Sequence, residues 1–227
     1  RRKACDTLIL AYADMNLQIE FLENQVIVLI MEEPGMFSAA IQDLLAGEES
    51  QFILYEGEKN YSSEKVMEIV VDPFSLDFNN RKILQKLYKE WALEANEMFQ
   101  KKTEINTDII NVLSQLQLNS LYGEIKYNLE FSWEDIFKIY QVGFQTEGEG
   151  ILEKLLSYMK ILSGLLEIRI LCIVNLKTYL SAEQLKEVYQ MAFYCKLQLL
   201  LIENREQSNL EGEKTYIIDR DRCLIIK

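Results

Sequence analysis

Residues 79–120, a long run without glycine or proline, constrain the fold of this chain more than any other feature. Its apolar residues recur at two heptad positions, and only Lys102 interrupts the second series. The first series is Leu84, Trp91, Met98, Ile105 and Val112, and the second is Tyr88, Ala95, Ile109 and Leu116. At about 1.5 Å per residue, one continuous helix here is roughly 60 Å long, more than the width of a domain core. The pattern therefore predicts a helix that projects from the body of the protein.

Such a helix needs a second element to cover its apolar stripe. Residues 150–162 carry apolar side chains at helical spacing and are the predicted antiparallel partner. These side chains are Ile151, Leu155, Tyr158, Met159 and Leu162. A coiled-coil hairpin with no chemistry of its own is the alternative interpretation of the same pattern.

Histidine is absent from all 227 residues. Its absence excludes Ser-His-Asp and Cys-His nucleophiles, His-ligated zinc and most hydrolases that use a histidine base. The content of 49% hydrophobic and 26% charged residues is typical of a globular chain with one sizeable domain or two small ones. A net charge of -12 argues against a nucleic-acid partner unless basic residues cluster locally.

The four cysteines, Cys5, Cys172, Cys195 and Cys223, are widely separated and form no Cys-x-x-Cys pair. Three of them lie in apolar runs, which favours buried free thiols and a reducing cytoplasm. No apolar run reaches the length of a membrane span, and the run at residues 8–13 is too short for a signal-peptide core. We therefore expect a cytoplasmic protein that does not bind membranes.

Short apolar runs near both ends of the chain predict strands. They are residues 8–13, 17–22, 26–31, 51–55, 66–71, 168–174, 197–202, 215–218 and 223–226. Helices are predicted from Pro34 to about Leu45, from a cap at Ser132, and from Ser181, where Gln184 completes a capping box. This alternation predicts one α/β sheet built from both ends of the chain, with an inserted helical arm. The expected domains are an α/β head of residues 8–73 and 164–227 and an α-helical leg of residues 74–163.

A phosphate-binding loop is the first feature to test in such a head. Gly143 and Gly148 have the spacing of that loop, but Glu149 and Gly150 stand where it needs Lys and then Ser or Thr. The run at residues 170–174 ends on Asn175, where a magnesium-binding nucleotidase needs an Asp. The sequence therefore predicts no working ATP site and no catalysis, and a residual nucleotidase is the least favoured alternative.

Oxygen-bearing side chains gather at residues 123–135. Glu124, Asn128, Glu130, Glu134 and Asp135 could supply ligands to a hard cation such as calcium. The spacing is not that of an EF-hand, and a solvated acidic loop is the alternative. A smaller group of Asp72, Asp77 and Asn79 is interpreted as a turn and a helix cap, with Asn79 at the N-cap position.

Basic residues cluster locally despite the negative total. Arg81, Lys82, Lys86 and Lys89 lie along the first turns of the long helix, and Lys101 and Lys102 follow. A solvated helix face is the usual meaning of such a row. As a functional feature, it is the place in the sequence where a phosphate backbone could be held.

An ordered series of short segments resembles the Csn2 family, the small adaptation proteins of type II-A CRISPR systems. The segments are residues 70–72, 76–79 and 82–88, then 173–175 and 179–181, then 199–203 with Arg205, and finally 216–219 with Asp221. They follow one another at similar spacing over nearly the whole chain from about Leu8. No single segment is diagnostic, and the order of the series carries the resemblance.

This resemblance implies an α/β head similar to a P-loop nucleotidase without its phosphate loop, carrying an inserted helical leg. It also implies a homotetrameric ring, braced by calcium, whose basic inner surface holds double-stranded DNA and prefers linear ends. The implied role is non-catalytic, in CRISPR spacer acquisition beside the integrase proteins and the effector nuclease. An acidic exterior and a basic bore would reconcile the negative net charge with DNA binding. The alternative is a helical interaction scaffold that recruits adaptation proteins and has no direct DNA role.

Overall fold

The structure is a computed structural model that describes residues 7–12, 15, 17–145 and 150–227. Its strands are β1 (Leu8–Tyr12), β2 (Leu17–Phe21), β3 (Val26–Met31), β4 (Phe52–Glu56), β5 (Lys59–Tyr61), β6 (Met67–Val70), β7 (Ile170–Val174), β8 (Gln198–Glu203), β9 (Glu213–Ile218) and β10 (Leu224–Ile226). Its helices are α1 (Pro34–Leu45), α2 (Ser63–Val66), α3 (Arg81–Asn96), α4 (Phe99–Leu118), α5 (Trp133–Ile139), α6 (Ile151–Gly164) and α7 (Ala182–Tyr194). The chain divides into two compact units, Arg1–Asp77 with Thr146–Lys227, and Phe78–Gln145.

A six-stranded sheet forms the centre of the first unit, in the order β10-β9-β3-β8-β7-β6. Strands β9, β3, β8, β7 and β6 run parallel, and β10 is antiparallel at one edge. Every residue of β3 and of β7 is buried, as their continuous apolar sequences predict for strands covered on both faces. The antiparallel pairing of β9 with β10 confirms the closing hairpin predicted from the sequence.

A second, antiparallel sheet in the same unit has the order β2-β1-β4-β5. The six-stranded sheet confirms the prediction of a sheet built from both ends of the chain, but the expectation that all the strands join one sheet was wrong. The physical reason lies in β2, where Gln18 and Glu20 are exposed and the alternate residues Leu17, Ile19 and Phe21 are buried. A strand of this alternating kind can cover only one face of a core, whereas β3 is apolar throughout. The first two strands consequently pair with each other instead of extending the central sheet.

Three helices of the first unit follow the sequence signals closely. Helix α1 begins at Pro34 and ends at Leu45, as predicted. The capping box of α7 is confirmed: Ser181 Oγ accepts from the Gln184 N–H at 3.3 Å, and Gln184 Oε1 accepts from the Ser181 N–H at 3.0 Å. Helix α6 buries six side chains and packs against α7. Its apolar face is therefore occupied within the first unit, so α6 is not the predicted partner of the long helix.

The second unit is helical, and it is shorter than the leg of residues 74–163 because α6 belongs to the first unit. The forty-residue helix predicted at residues 79–120 is two helices, α3 and α4, which are separated at Glu97 and Met98. There the N–H groups of both residues bond three positions back instead of four. No glycine or proline marks the break. Helix α3 packs on α5, whereas α4 contacts the segment that returns toward α5, so each half follows a different neighbour.

The described cysteines include no disulfide, and only one has the buried environment predicted for it. Burial raises the pKa of the Cys172 thiol to about 12, so this group is inert at physiological pH. Cys195 is half-buried, and Cys223 is exposed because it precedes the edge strand β10. Among the described residues, no helix is both long enough and apolar enough to cross a bilayer.

Candidate nucleic-acid interface

The start of α3 is fixed by two neighbouring asparagines with different roles. Asn80 is the N-cap, since its Oδ1 accepts from the Ile83 N–H at 3.0 Å. The N-cap role predicted for Asn79 was therefore wrong by one position. Asn79 instead binds the backbone of Phe144 twice, accepting from its N–H at 2.7 Å and donating to its carbonyl at 2.9 Å. Residues 65 positions apart are joined in this way, and the ends of the second unit are held together.

The inner face of α3 packs against α5 through aromatic rings. Ile83, Leu87 and Tyr88 are buried, and the Tyr88 hydroxyl donates to the Val142 carbonyl at 2.8 Å. The Phe137 ring of α5 lies 5.8 Å from the Tyr88 ring and 5.9 Å from the Trp91 ring. These contacts fix the rotation of α3 about its axis, and thereby decide which side chains face outward.

Three lysines of the predicted DNA-binding set share the outer face of α3. Lys82, Lys86 and Lys89 are exposed and stand at positions i, i+4 and i+7, which place them in one row. At roughly 1.5 Å per residue, the row extends about 10 Å. At roughly 100° per residue, Gln85 and Asn96 flank the row on one side, and the exposed Glu90, four residues after Lys86, lies about 40° from Lys86 on the other side. This outer surface of α3 therefore carries positive charge and amides, with one carboxylate, Glu90, at its edge.

The other three predicted DNA-binding residues do not join this row. Arg81 is exposed but is turned about 80° or more away from the three lysines. Lys101 forms an ion pair with Glu104 at 2.7 Å, which raises the pKa of Lys101. The ammonium group of Lys102 lies 5.9 Å from the centre of the Phe131 ring. A DNA role for all six stays a prediction, and the structure brings three of them together.

The five predicted calcium ligands lie along one stretch of the second unit. Glu124, Asn128 and Glu130 are exposed on the segment between α4 and α5, and Glu134 and Asp135 are in the first turn of α5. Hydrogen bonds from Ser132 and from Lys138 lower the pKa of Asp135 and occupy its carboxylate. The residues that the structure describes contain no group of three or more acidic or cysteine side chains arranged to hold a metal. The ligand set stays a prediction.

A carboxylate that the sequence analysis did not consider occupies the turn between β3 and α1. Glu33 folds over the start of α1 and accepts from the N–H of Gly35 at 2.9 Å and of Met36 at 2.6 Å. These bonds hold the pKa of Glu33 below its usual value. A Cβ on Gly35 would lie 3.0 Å from the Glu33 carboxylate, so the glycine permits the close approach. A helix start of this kind is where phosphate binds in P-loop proteins, and here the chain's own carboxylate occupies it.

Gly143, one of the two glycines considered for a phosphate-binding loop, has a different role in the structure. Gly143 contacts Asn79, because a Cβ on this glycine would lie 2.6 Å from Asn79 Oδ1. Gly148 and Glu149 lie outside the described residues. Asn175 follows β7 in the left-handed conformation, with φ of 54°, and its buried Oδ1 has no hydrogen-bond partner. A cluster of Lys177, Glu203 and Glu213 lies beside it, and the sequence analysis missed it. Its one signal was an acidic residue, Glu203, directly after a buried strand.

The chain matches the family model described as CRISPR-associated protein (Cas_Csn2) over residues 45–222. It is similar to the CRISPR-associated protein Csn2 of Streptococcus agalactiae, at 19% identity over 200 residues, which are 87% of this chain and 89% of the relative. Among solved structures it is similar to an ATP-binding cassette of an ABC transporter in its ADP conformation, at 11% identity and a TM-score of 0.46, covering 93% of this chain and 87% of that one.

A second similar structure is a bacterial Atm1-family ABC exporter with ATP bound, at 10% identity and a TM-score of 0.41. The similarity covers 94% of this chain and 37% of the exporter. The sheets and helices of the first unit make it a mixed α/β fold, as the sequence predicted. Since the family model spans most of the sequence, the chain belongs to the Csn2 family of CRISPR-associated proteins.

Proposed function

We propose that this protein is a non-catalytic ring that binds the ends of double-stranded DNA in the cytoplasm during CRISPR spacer acquisition. The observation that carries the proposal is the outer face of α3, where the exposed Lys82, Lys86 and Lys89 stand in one row. Along the axis of duplex DNA, one strand carries a phosphate about every 3.4 Å, so a row of about 10 Å laid along that axis spans roughly three phosphate steps. Contacts of this kind carry no base sequence information and weaken as salt is added.

A homotetrameric ring is supported by the exposed apolar seam of α4. Ile105, Ile109, Val112 and Leu116 are 38%, 39%, 56% and 64% exposed, and they follow the 4-3-4 spacing of a coiled-coil stripe. Another side of α4 is joined by two hydrogen bonds to the segment that returns toward α5. There Asn106 Nδ2 donates to the Leu129 carbonyl at 2.7 Å, and the Ser114 and Tyr127 hydroxyls are 3.0 Å apart. The seam is therefore available to a second copy of the chain, and pairing two identical stripes would bury both.

Calcium is expected to brace the ring because the resemblance to the Csn2 family implies it. The carboxylates of Glu124, Glu130 and Glu134 form no ion pair within the described part of the chain, so they are free to bind a cation. Carboxylate and amide oxygens are the ligands that calcium prefers. In the proposal, the ion draws its remaining ligands from a neighbouring protomer or from water.

The absence of catalysis is supported by the turn before α1. An incoming phosphate would have to displace the Glu33 carboxylate from the N–H groups of Gly35 and Met36. Two like charges cannot share these donors, and Glu33 is tethered two residues away. Asn175 in place of an aspartate also leaves no carboxylate for magnesium after β7. Histidine, the commonest general base, is absent from the sequence.

The central test compares linear and covalently closed circular duplex DNA of equal length in a gel-shift experiment. It is run with calcium and with chelator, at two salt concentrations. A threaded ring retains linear DNA only, loses it on chelation, and binds less at the higher salt. Equal binding to both forms would show ordinary surface contact, and no binding to either would refute the DNA role.

A charge-reversal variant assigns the binding to the α3 row. Lys82→Glu, Lys86→Glu and Lys89→Glu together are expected to abolish DNA retention without changing the oligomer. The matched control reverses three exposed lysines of the first unit, Lys65, Lys160 and Lys186, with the same change of net charge. If the control loses as much binding as the row variant, net charge and not the row is responsible.

An interaction scaffold is the second candidate, favoured by the same exposed seam of α4. In that function the seam recruits the integrase proteins or the effector nuclease, and DNA contact is incidental. Pull-downs that survive nuclease treatment and are lost in an Ile109→Glu variant would support it. A tetramer in solution whose mass falls in the same variant would instead assign the seam to self-association.

A further inference from the structure

A buried cluster of charged side chains at the carboxyl ends of β7 and β8 has no part in the proposed function. The side chains of Lys177 and Glu213 are 4% and 0% exposed, and Glu203 is also 0% exposed. Lysine and glutamate are almost never fully buried unless they are paired. The arrangement of the charges within this cluster therefore has to be explained.

Glu213 is the carboxylate of the cluster whose charge is compensated. Lys177 Nζ donates to Glu213 Oε2 at 3.0 Å and to the Ser208 carbonyl at 2.9 Å. The other oxygen of Glu213 accepts from the Tyr189 hydroxyl at 2.6 Å. Burial and the bond to Glu213 raise the pKa of Tyr189, so this phenol stays neutral. Lys177 and Glu213 thus form a neutral pair with both carboxylate oxygens bonded.

Glu203 forms no ion pair within the described part of the chain. Its Oε1 accepts from the backbone N–H of Lys177 at 3.0 Å, and its Oε2 is 3.4 Å from Gln207 Nε2. Arg205 is the other cation that acts on it, and Arg205 is exposed. When every group is ionised, one ammonium faces two buried carboxylates, and one negative charge is left over. Desolvation by burial raises the pKa of Glu203 to about 7, with Glu213 adding to the shift and Lys177 and Arg205 opposing it.

The loop between β8 and β9, residues 204–212, closes over this cluster. Lys177 holds it through the Ser208 carbonyl, Gln207 holds it through Glu203, and Asn209 Oδ1 accepts from the Thr215 hydroxyl at 3.3 Å. An ionised and uncompensated Glu203 can gain water only if this loop moves away. The proton on Glu203 and the position of the loop are thereby coupled.

We propose that Lys177, Glu203 and Glu213 form a proton-controlled clamp, in which one proton on Glu203 fastens the β8–β9 loop and its loss near neutral pH loosens the loop. The direction of the pH dependence follows because protonation of Glu203 is linked to closure of the loop. A carboxyl group with a raised pKa in the closed state stabilises that state at low pH, and the stabilisation is lost as the pH rises through the pKa of the closed state. The loop is therefore more firmly closed at pH 5.5 than at pH 8.5.

Hydrogen exchange of the amides at residues 205–210, corrected for the intrinsic pH dependence of exchange, measures the clamp directly. Between pH 5.5 and 8.5 their protection is expected to fall by roughly 30-fold, the factor that one linked proton supplies over this interval. Amides of β3 serve as the internal reference and are expected to keep their protection. Unchanged protection of the loop in the wild-type protein would overturn the proposal.

Three variants identify the group responsible. Glu203→Gln resembles the protonated carboxyl group, so it should keep the loop protected at both pH values. Glu213→Gln leaves Glu203 as the counter-ion of Lys177, and the response should move below pH 5.5. Glu206→Gln changes an exposed carboxylate of the same loop and should behave as wild type. A pH response of the loop in Glu203→Gln equal to that of the wild-type protein would contradict the clamp. If that variant does not fold, the pH responses of the wild-type protein and of Glu213→Gln test the proposal.

Discussion

The two units of this chain differ in how much of their apolar surface they bury. In the first unit, β3, β7 and α6 bury almost every large apolar side chain. In the second unit, α4 and α5 have no buried residue, and the burial on α3 is limited to three side chains. A soluble unit keeps a regular apolar stripe exposed at a cost in solubility, and such stripes usually mark contact surfaces. The first unit buries its apolar side chains within itself, whereas the second leaves most of its own exposed.

The two units also differ in net charge. Residues 78–145 contain eight basic and nine acidic residues, so nearly all of the net charge of -12 belongs to the rest of the chain. A total this negative would by itself argue against DNA binding. The almost neutral second unit removes that objection, because a local row of lysines can act where the surrounding field is weak. Net charge is therefore informative only when it is assigned to a unit.

The largest expected effect tests the difference in burial. Leu201→Ala in β8 removes a side chain with 0% exposure and should lower the free energy of unfolding by about 3 kcal/mol. Val112→Ala in α4 should change it by less than about 0.5 kcal/mol at protein concentrations too low for self-association. Urea unfolding of both variants makes the comparison. Equal losses would mean that the seam of α4 is buried within one protomer.

The next effect tests whether the seam holds copies of the chain together. Ile109→Glu places a charge in the middle of the stripe and should weaken self-association by at least about 2 kcal/mol, roughly 30-fold in Kd. Sedimentation velocity measures the change. Asp108→Gln is the neighbouring control, since it alters charge beside the stripe without altering the stripe. A tetramer that survives Ile109→Glu would exclude the seam as a protomer contact.

A smaller effect concerns an ion pair that joins the two sheets of the first unit. Arg169 donates to both oxygens of Glu56, at 2.9 and 3.1 Å, and together with the Tyr61 hydroxyl lowers the pKa of Glu56 to about 2. A carboxylate with a lowered pKa stabilises the fold above its unfolded pKa of about 4.5, and this contribution is lost as the pH falls toward 2.

Arg169→Met should remove part of this acid sensitivity. Because Arg169 is 39% exposed and water screens the pair, we expect a difference of only about 1 kcal/mol between the two proteins over that interval. Unfolding free energies at pH 5 and pH 2.5 give the comparison. A loss on acidification that is the same in both proteins would show that the pair contributes nothing.

The smallest effect is confined to the second unit. Asn79→Ala removes two exposed hydrogen bonds to Phe144 and should cost about 1 kcal/mol or less. Hydrogen exchange at residues 142–145 should quicken, while β7 and β8 stay protected. Gly143→Ala, whose Cβ would approach Asn79 Oδ1 to 2.6 Å, should have the same local effect. Faster exchange in β7 would mean that the two units do not unfold separately.

Local signals in the sequence predicted the first unit well. Continuous apolar runs correctly predicted β3 and β7. Pro34 predicted the start of α1, and Ser181 with Gln184 predicted the cap of α7. Each depends on residues close together in the chain, where spacing alone decides the structure. Boundaries were off by one or two residues at most strands.

Long-range packing is what the sequence could not supply. The heptad of residues 79–120 is real, but the break at Met98 arises because α3 and α4 contact different neighbours. The partner of α3 is the short α5 with its rings, not the longer and more apolar α6. The helical period correctly grouped Lys82, Lys86 and Lys89 in one row. It could not predict that the Lys102 ammonium group would lie over the Phe131 ring of the same unit. Glu33 and Glu203 were missed because each gains its role only from where a strand ends.

The folded-over Glu33 also bears on how a protein of this kind would move. Enzymes that translocate along DNA by hydrolysing nucleotides draw directed motion from a fuel cycle. Under the proposed function, a head in which Glu33 occupies the start of α1 has no such supply. Under the proposed function, motion on DNA is then thermal and without direction. Loading depends on the concentrations of protein and free ends, so the cell would control this step through abundance.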